Sequence, residues 1–276
     1  MKFVCDKFVI IEDGEIWELR EKVFNIVQDF GVTGILATSN FDVAYLCTLQ
    51  GELEGLGVRV LCAPKNIIEK LLDKSAYPSL IGMAGLDTPK LYNLADLGSV
   101  RFPCVLKPAE GQGTKFTFVV RSMEELQHRV GDVPSPIVQE FVEGVHYTVD
   151  VFGNEIGQPI CVVPRVRVVI DGSIAVVSRI DMNRTVIDKT SRIGEKLRIV
   201  GPYNVQMIKD GERIAIHDVN PRVASGTVLS IAAGAPFPRW ICDLLLEGKI
   251  MDEKYEIKDG TEMYRYQSQI FSNRVE

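Results

Sequence analysis

His217-Asp218-Val219-Asn220-Pro221-Arg222 is the stretch that decides the fold, read together with Gln206 and with Lys107 far upstream. Asp218 and Asn220 are two residues apart. In a strand over Arg213–Val219 both side chains leave one face, because side-chain direction alternates with period two. Pro221 pulls the chain out of the ladder and lets the Arg222 guanidinium turn back toward that face. A carboxylate, an amide oxygen and a fixed cation side by side suit Mg²⁺ and phosphate. Hard divalent ions take oxygen ligands, and arginine offers bidentate recognition of phosphate or carboxylate.

The bulk numbers leave room for that chemistry. The chain has 276 residues, 46% hydrophobic and 25% charged, which is ordinary for a globular enzyme of one large or two to three small domains. A formal charge of −6 argues against non-specific nucleic-acid binding. Six cysteines (5, 47, 62, 104, 161 and 242) are scattered without a CxxC pair, so they read as small core hydrophobes and not as zinc ligands. No stretch resembles a signal peptide or a membrane span; apolar runs such as Ile231–Pro236 fall well short of about 20 residues. The expectation is a cytoplasmic protein with free thiols and no membrane or nucleic-acid partner.

Outward from the opening motif, periodicity predicts a helix over Glu15–Phe30 closed by Gly31, and a strand over Gly34–Thr38. A helix over Phe41–Leu56 and a strand over Val58–Cys62 follow, the spacing of a small parallel unit. Ile67–Leu72 and Tyr77–Ala84 read as helical pieces. Cys104–Lys107 and Phe116–Val120 are strand-like, and Ser122 caps a helix over Met123–Val130 with Glu125 completing a capping box. Ile137–Phe141 and Tyr147–Phe152 are strands. Ile160–Ile170 and Ser173–Ile180 form a hairpin around Asp171-Gly172. Thr185–Val200 is a polar-faced helix, Val205–Ile208 and Arg213–Val219 are strands, and Val228–Ala233 and Arg239–Glu247 are helices. There is no internal repeat.

Several further features bear on chemistry. Gly111 and Gly113 lie between two strands, which is neither GxGxxG nor a Walker motif; the segment is either an ordinary turn or a flap whose N–H groups cover phosphates. Lys107, before Pro108 at a strand end, is either an edge lysine or a cation reaching phosphate oxygens. Arg165 and Arg167 share a strand face that is either solvated or lines an acceptor pocket, with Arg184 and Lys189 able to join from the next segment. His217 reads as packed or supporting, and His128 as solvated.

The ordered set of these pieces resembles the ATP-grasp superfamily, especially the branch around carbamoyl-phosphate synthetase and biotin carboxylase. The resembling pieces are Asp73-Lys74, Gly85-Leu86-Asp87-Thr88-Pro89, Pro103-Cys104-Val105-Leu106-Lys107-Pro108, the glycine loop, Val138–Asp150, Gly201–Gln206 and Asp218-Val219-Asn220-Pro221-Arg222 followed by Ala232-Ala233-Gly234. They cover roughly residues 60 to 250. The resemblance implies α/β and α+β architecture, with ATP clasped between two α+β subdomains. It divides the chain into a shortened nucleotide-fold-like domain (1–87), a small subdomain with a glycine-rich flap (88–140) and a large subdomain with a metal site (141–276). By position, Lys74 and Lys107 look like the phosphate-binding lysines, and Glu140, Phe141 and Val142 like the hinge that contacts adenine, largely through main chain. His146 falls near the ribose position. Gln206, Asp218 and Asn220 match the positions that face Mg²⁺, where Mn²⁺ can substitute, and Arg222 matches the arginine beside the transferred phosphoryl group. Glutamate is commoner than aspartate at position 218; the shorter side chain draws the metal toward the strand or reaches it through water.

What the resemblance implies about activity is an ADP-forming ligase. A carboxylate attacks the γ-phosphate, and an amine or similar nucleophile then displaces phosphate from the acylphosphate. Such catalysis is mostly positioning and charge neutralisation. Residues 1–64 match only the later part of the usual opening domain, which leads to two further expectations. One is a non-catalytic ATP-binding or regulatory protein that kept the fold. The other is a homodimer in which a second copy completes an open sheet edge.

Overall fold

The computed structural model of the chain describes residues 5–11, 16–110 and 116–269. Helix α1 (Ile16–Phe30) ends at Gly31, whose φ of 60° is the left-handed conformation that closes a helix. Strand β1 (Gly34–Leu36), helix α2 (Asn40–Gly55) and strand β2 (Arg59–Leu61) form the expected parallel unit, with Gly34 opposite Arg59. A capping box starts α2: the Ser39 side chain accepts the Asp42 N–H, and the Asp42 carboxylate accepts the Ser39 N–H. Helices α3 (Lys65–Leu72) and α4 (Tyr77–Gly82) follow.

A four-stranded antiparallel sheet comes next. It is built from β3 (Leu91–Tyr92), β4 (Cys104–Pro108), β5 (Phe118–Val120) and β6 (Pro136–Glu140) in the order β3-β6-β4-β5. Its core packs under α5 (Met123–Arg129) and includes Leu106, Leu126 and Val138. The predicted capping box at α5 is half formed. Ser122 accepts the Glu125 N–H, but the Glu125 carboxylate accepts the N–H of Arg121, one residue before the cap.

The remaining strands form a six-stranded antiparallel sheet. They are β7 (Val145–Gly153), β8 (Pro159–Asp171), β9 (Ile174–Ile180), β10 (Gly201–Asp210), β11 (Arg213–Asn220) and β12 (Glu262–Tyr264), ordered β11-β10-β7-β8-β9-β12. The hairpin predicted at Asp171-Gly172 turns one residue later: Asp171 pairs with Ile174 around Gly172-Ser173. Helix α6 (Arg184–Leu197) packs on β8 and β7, α7 (Thr227–Ala232) lies near β9, and α8 (Phe237–Leu246) reaches across to β1, β2 and β10.

One core joins the first α/β unit to this large sheet. Leu53, Ile68 and Ile81 pack in the same cluster as Val149, Val205 and Ile216. Burial of these side chains, at about 1.5–3 kcal/mol each, fixes α3 and α4 against β11. Of the cysteines expected in the core, Cys62, Cys104 and Cys161 are buried, Cys47 is half-buried and Cys5 and Cys242 are exposed. Cys5 lies in a bend ahead of α1 and Cys242 on the outer face of α8, so neither is buried in a core. No helix among the described residues is long and apolar enough to cross a membrane.

Candidate functional site

The four-stranded and six-stranded sheets face each other across a cavity of about 710 Å³. Lys107 reaches it from β4, where period two sends Val105 and Lys107 to the cavity and Leu106 to the core. Its side chain is almost fully buried, and burial, the largest cause, lowers its pKa to about 8; Asp218 opposes that shift and Lys74 adds to it. Lys74 arrives from the loop between α3 and α4. Its N–H donates to the Ala109 carbonyl at 2.9 Å, just past the end of β4, which puts both lysines at one wall.

The opposite wall is β11 and β10. Asp218 and Asn220 do share a face, and Asn220 Nδ2 donates to Asp218 Oδ2 at 2.9 Å. Gln206 stands directly opposite Asp218 on β10 and also lines the cavity. Just there β11 carries a bulge. Gln206 faces Asp218 and Met207 faces Ile216, so His217 has no partner residue on β10. His217 and Asp218 consequently both open onto the cavity, although they are adjacent in sequence. The residue expected to be packed or supporting thus also stands on the cavity wall; burial first, and Lys107 second, hold its imidazole far below the usual range, so it is neutral.

The structure adds residues that sequence reasoning did not single out. The Tyr77 hydroxyl lies 2.8 Å from Asp218 Oδ1 and 2.9 Å from the Leu71 carbonyl, and it accepts the Val219 N–H at 3.4 Å. Asn40, the first residue of α2, donates to Asn220 Oδ1 at 3.2 Å and accepts from Arg222 Nε at 2.8 Å. Asn204 donates to the Arg222 carbonyl at 3.0 Å. Asn220 and Arg222 are thus fixed by side chains far away in the chain, and the only local sign was the helix start at Ser39.

At the junction of the two sheets, Phe141 and Val142 line the cavity beside Ile208, and Val142, Ile208 and Ala215 form a small apolar cluster. Neither Phe141 nor Val142 donates its N–H to a backbone carbonyl among the described residues. The Glu140 side chain points elsewhere. It takes a bidentate pair from Arg213 at 2.7 and 2.8 Å and the Lys90 N–H at 3.0 Å. Arg213, as the largest cause, pulls its pKa down to about 2. Gly144, at φ 151°, lets this connection pass β10, since a Cβ there would come within 2.4 Å of the Lys209 carbonyl. His146 stands opposite Ile208 and lines the cavity; burial and then Arg167 lower its pKa.

Arg165 and Arg167 both line the cavity, whereas Arg184 and Lys189 of α6 do not. The α6 pair starts a helix whose buried face is Val186, Thr190 and Ile193, which turns those cations away. His128 is exposed on α5, as expected. Gly111 and Gly113 lie outside the described residues.

The donor set has a definite chemical character. Among the described residues no three His, Cys, Asp or Glu side chains converge on one point. A cation beside Asp218 would therefore meet one carboxylate, the amide oxygens of Asn220 and Gln206, and oxygens brought by a ligand. That is the composition Mg²⁺ accepts, since it binds through one or two carboxylates plus phosphates and keeps waters.

Comparison with known proteins finds relatives in sequence and in fold. The family described as "ATP-grasp in the biosynthetic pathway with Ter operon" matches residues 132–268. The carbamoyl phosphate synthase large chain of Thermus thermophilus is 29% identical over 262 residues, covering 84% of this chain and 25% of that protein. The chain thus spans about a quarter of the length of this relative. A 5-formaminoimidazole-4-carboxamide ribofuranosyl monophosphate synthetase of Pyrobaculum neutrophilum is 25% identical over 219 residues, covering 71% of this chain and 61% of that protein. Among solved structures, the biotin carboxylase domain of Hydrogenobacter thermophilus 2-oxoglutarate carboxylase, a dimer in complex with MgADP, ADP and bicarbonate, superposes with a TM-score of 0.73. It is 13% identical, covering 88% of this chain and 60% of that one.

Proposed function

Because this chain belongs to the ATP-grasp superfamily, in the branch around carbamoyl-phosphate synthetase and biotin carboxylase, we propose that it is an ATP- and Mg²⁺-dependent, ADP-forming ligase that activates a carboxylate. The observation that carries this reading is the convergence of Lys107 from one sheet and Asp218, Asn220 and Arg222 from the other on a single cavity. Val142 and Ile208 offer an apolar face for the adenine ring, and the N–H groups of Phe141 and Val142 are free to meet its edge. His146 is placed for the ribose. Lys74 and Lys107 neutralise the triphosphate. Asp218, Asn220 and Gln206 would hold Mg²⁺, which supplies further charge neutralisation when bound.

In the first step a carboxylate oxygen of the acceptor bonds to the γ-phosphorus while the bond to the β,γ-bridging oxygen breaks, and ADP leaves with that electron pair. Arg222, held by Asn40, faces the transferring group. In the second step an amine or similar nucleophile attacks the acyl carbon, the carbon–oxygen bond to phosphate breaks, and the nucleophile loses its proton. No side-chain nucleophile is needed; positioning and fixed charge do the catalysis.

Isothermal titration with Mg-ATP, wild type against Asp218→Ala/Asn220→Ala, tests nucleotide binding, and ADP release on adding acids tests the chemistry. Binding in wild type that is lost in the double variant, with acid-dependent ADP, is the expected result; no heat in either protein would sink the proposal.

A second reading, an ATP-binding or regulatory protein without turnover, has one observation in its favour. Both Asp218 oxygens are already engaged, by Tyr77 and Asn220. It predicts stabilisation by ATP, about 2.7 kcal/mol at 100 times the dissociation constant, with no ADP formed for any acid.

A further inference from the structure

The cavity continues beyond the residues assigned to nucleotide. Strands β11, β10, β7 and β8 are neighbours in that order, and Asp218, Gln206, Thr148 and Arg165 stand opposite one another along the row. At about 4.8 Å per strand, the backbone at Arg165 is about 14 Å from that at Asp218. Arg167, two residues further along β8, shares the same face. Arg265, just past β12, donates from Nη2 to the Ser225 carbonyl at 3.0 Å. Gly226 lies directly against Arg165, where a Cβ would come within 2.3 Å of Nη1. Arg165 and Arg265 therefore border one short loop, Ser225-Gly226, Arg167 reaches toward Ser173, and all three guanidinium groups line the cavity.

Their bonding separates them. Arg165 makes a bidentate pair with Asp150 at 2.6 and 3.0 Å, and that carboxylate also accepts from Thr227 and Ser230. Among the described residues the Arg167 guanidinium makes one hydrogen bond, from Nη2 to the Ser173 carbonyl at 3.0 Å, and that of Arg265 makes one, to the Ser225 carbonyl. Neither forms a salt bridge among the described residues. A guanidinium keeps several donors in a fixed fork. An anionic group at this point would answer both guanidinium groups. The triphosphate already has Lys74 and Lys107 on the facing sheet.

Resting on the ligase reading above, we propose that the acceptor is an acid with a second, distal anionic group, and that Arg167 and Arg265 receive that group while the reacting carboxylate lies nearer Arg222. Carboxylate and phosphate share the required chemistry, and the test separates them.

The protein saturated with Mg-ADP is titrated with glutarate, 3-phosphonopropionate and butyrate, read by thermal shift. The same acids are then compared for ADP release with Mg-ATP. The expected result is half-saturation by at least one dianionic probe at a concentration at least tenfold below butyrate. Arg167→Ala and Arg265→Ala each erase that preference, and Arg167→Lys restores part of it; Arg167→Gln replaces the alanine variant if the latter does not fold. Equal half-saturation for all three probes, no response to any of them, or a preference that survives both alanine variants overturns the inference. Titration of Mg-ATP into the same preparations separates the two failures. If nucleotide does not bind, the ligase reading itself falls; if it binds and the dianion preference is missing, only the acceptor inference falls.

Discussion

The two sheets facing the cavity hold their buried charges by opposite means. In the four-stranded sheet, Lys107 is 9% exposed and makes no ion pair among the described residues, and burial draws its pKa down to about 8. In the six-stranded sheet, Arg165 is 3% exposed, yet Asp150, Thr227 and Ser230 complete a closed polar network around it. The first arrangement leaves a charge whose best partner is still to come. The second leaves a charge already satisfied, whose work is to hold the wall on which Arg167 and the 224–226 loop are built. Equal burial thus says little about role; the bonding around the charge distinguishes a ligand group from a structural one.

The largest expected effect breaks the second arrangement. Asp150→Ala strands a buried guanidinium and two hydroxyls, and should cost about 3–5 kcal/mol of stability, read as the shift of the urea midpoint. An unchanged midpoint would mean the network is not what holds this wall. Lys107→Met should behave oppositely. Removing a desolvated ammonium leaves stability unchanged or raised, while the Mg-ATP dissociation constant rises at least tenfold, a loss of about 1.4 kcal/mol.

The pH dependence sharpens the same contrast. The folded protein releases the Lys107 proton near pH 8, whereas the unfolded chain holds it to about 10.4. Between those values the unfolded state binds more protons, so the lysine's contribution to stability becomes more favourable as pH rises. Nucleotide binding runs the other way: above pH 8 the side chain must regain its proton, and affinity should fall up to tenfold per unit. Titration calorimetry in buffers of different ionisation enthalpy should detect proton uptake at pH 8.5 that is absent in Lys107→Met.

A smaller effect is expected at Asn40. Asn40→Ala removes one bond to Arg222 and one to Asn220, about 1–2 kcal/mol together, measured by thermal melts, with acid-dependent ADP release falling by more than Mg-ATP affinity. The smallest is Arg213→Ala. The pair with Glu140 is partly solvated, and its loss should cost below about 1 kcal/mol despite the bidentate geometry.

Much of the fold was legible because each element carried its own local signal. The three- and four-residue apolar steps of α1, the capping box Ser39–Asp42 at the start of α2 and the glycine turn between β8 and β9 lie within a few residues of what they specify. The shared face of Asp218 and Asn220 was legible for the same reason. Asn40 and Tyr77 were not, since their partners lie 182, 180 and 141 residues away and nothing in their surroundings differs from an ordinary helix start or an apolar helical face. Arg265 stayed hidden in a tail without periodicity. The place of His217 beside Asp218 on the cavity was not legible, because alternation sends neighbours to opposite faces and an inserted residue leaves no compositional trace.

That inserted residue has a consequence for how this strand is compared with others. Before it, even-numbered positions, Ile214 and Ile216, supply the interior; after it, odd-numbered Val219 does. Parity reverses at one point. A relative whose strand is regular must therefore be aligned with a one-residue gap at position 217. Grafting Asp218–Arg222 onto a regular strand in this numbering, without the extra residue, would carry the carboxylate and both amide-fixed groups to the wrong side of the sheet.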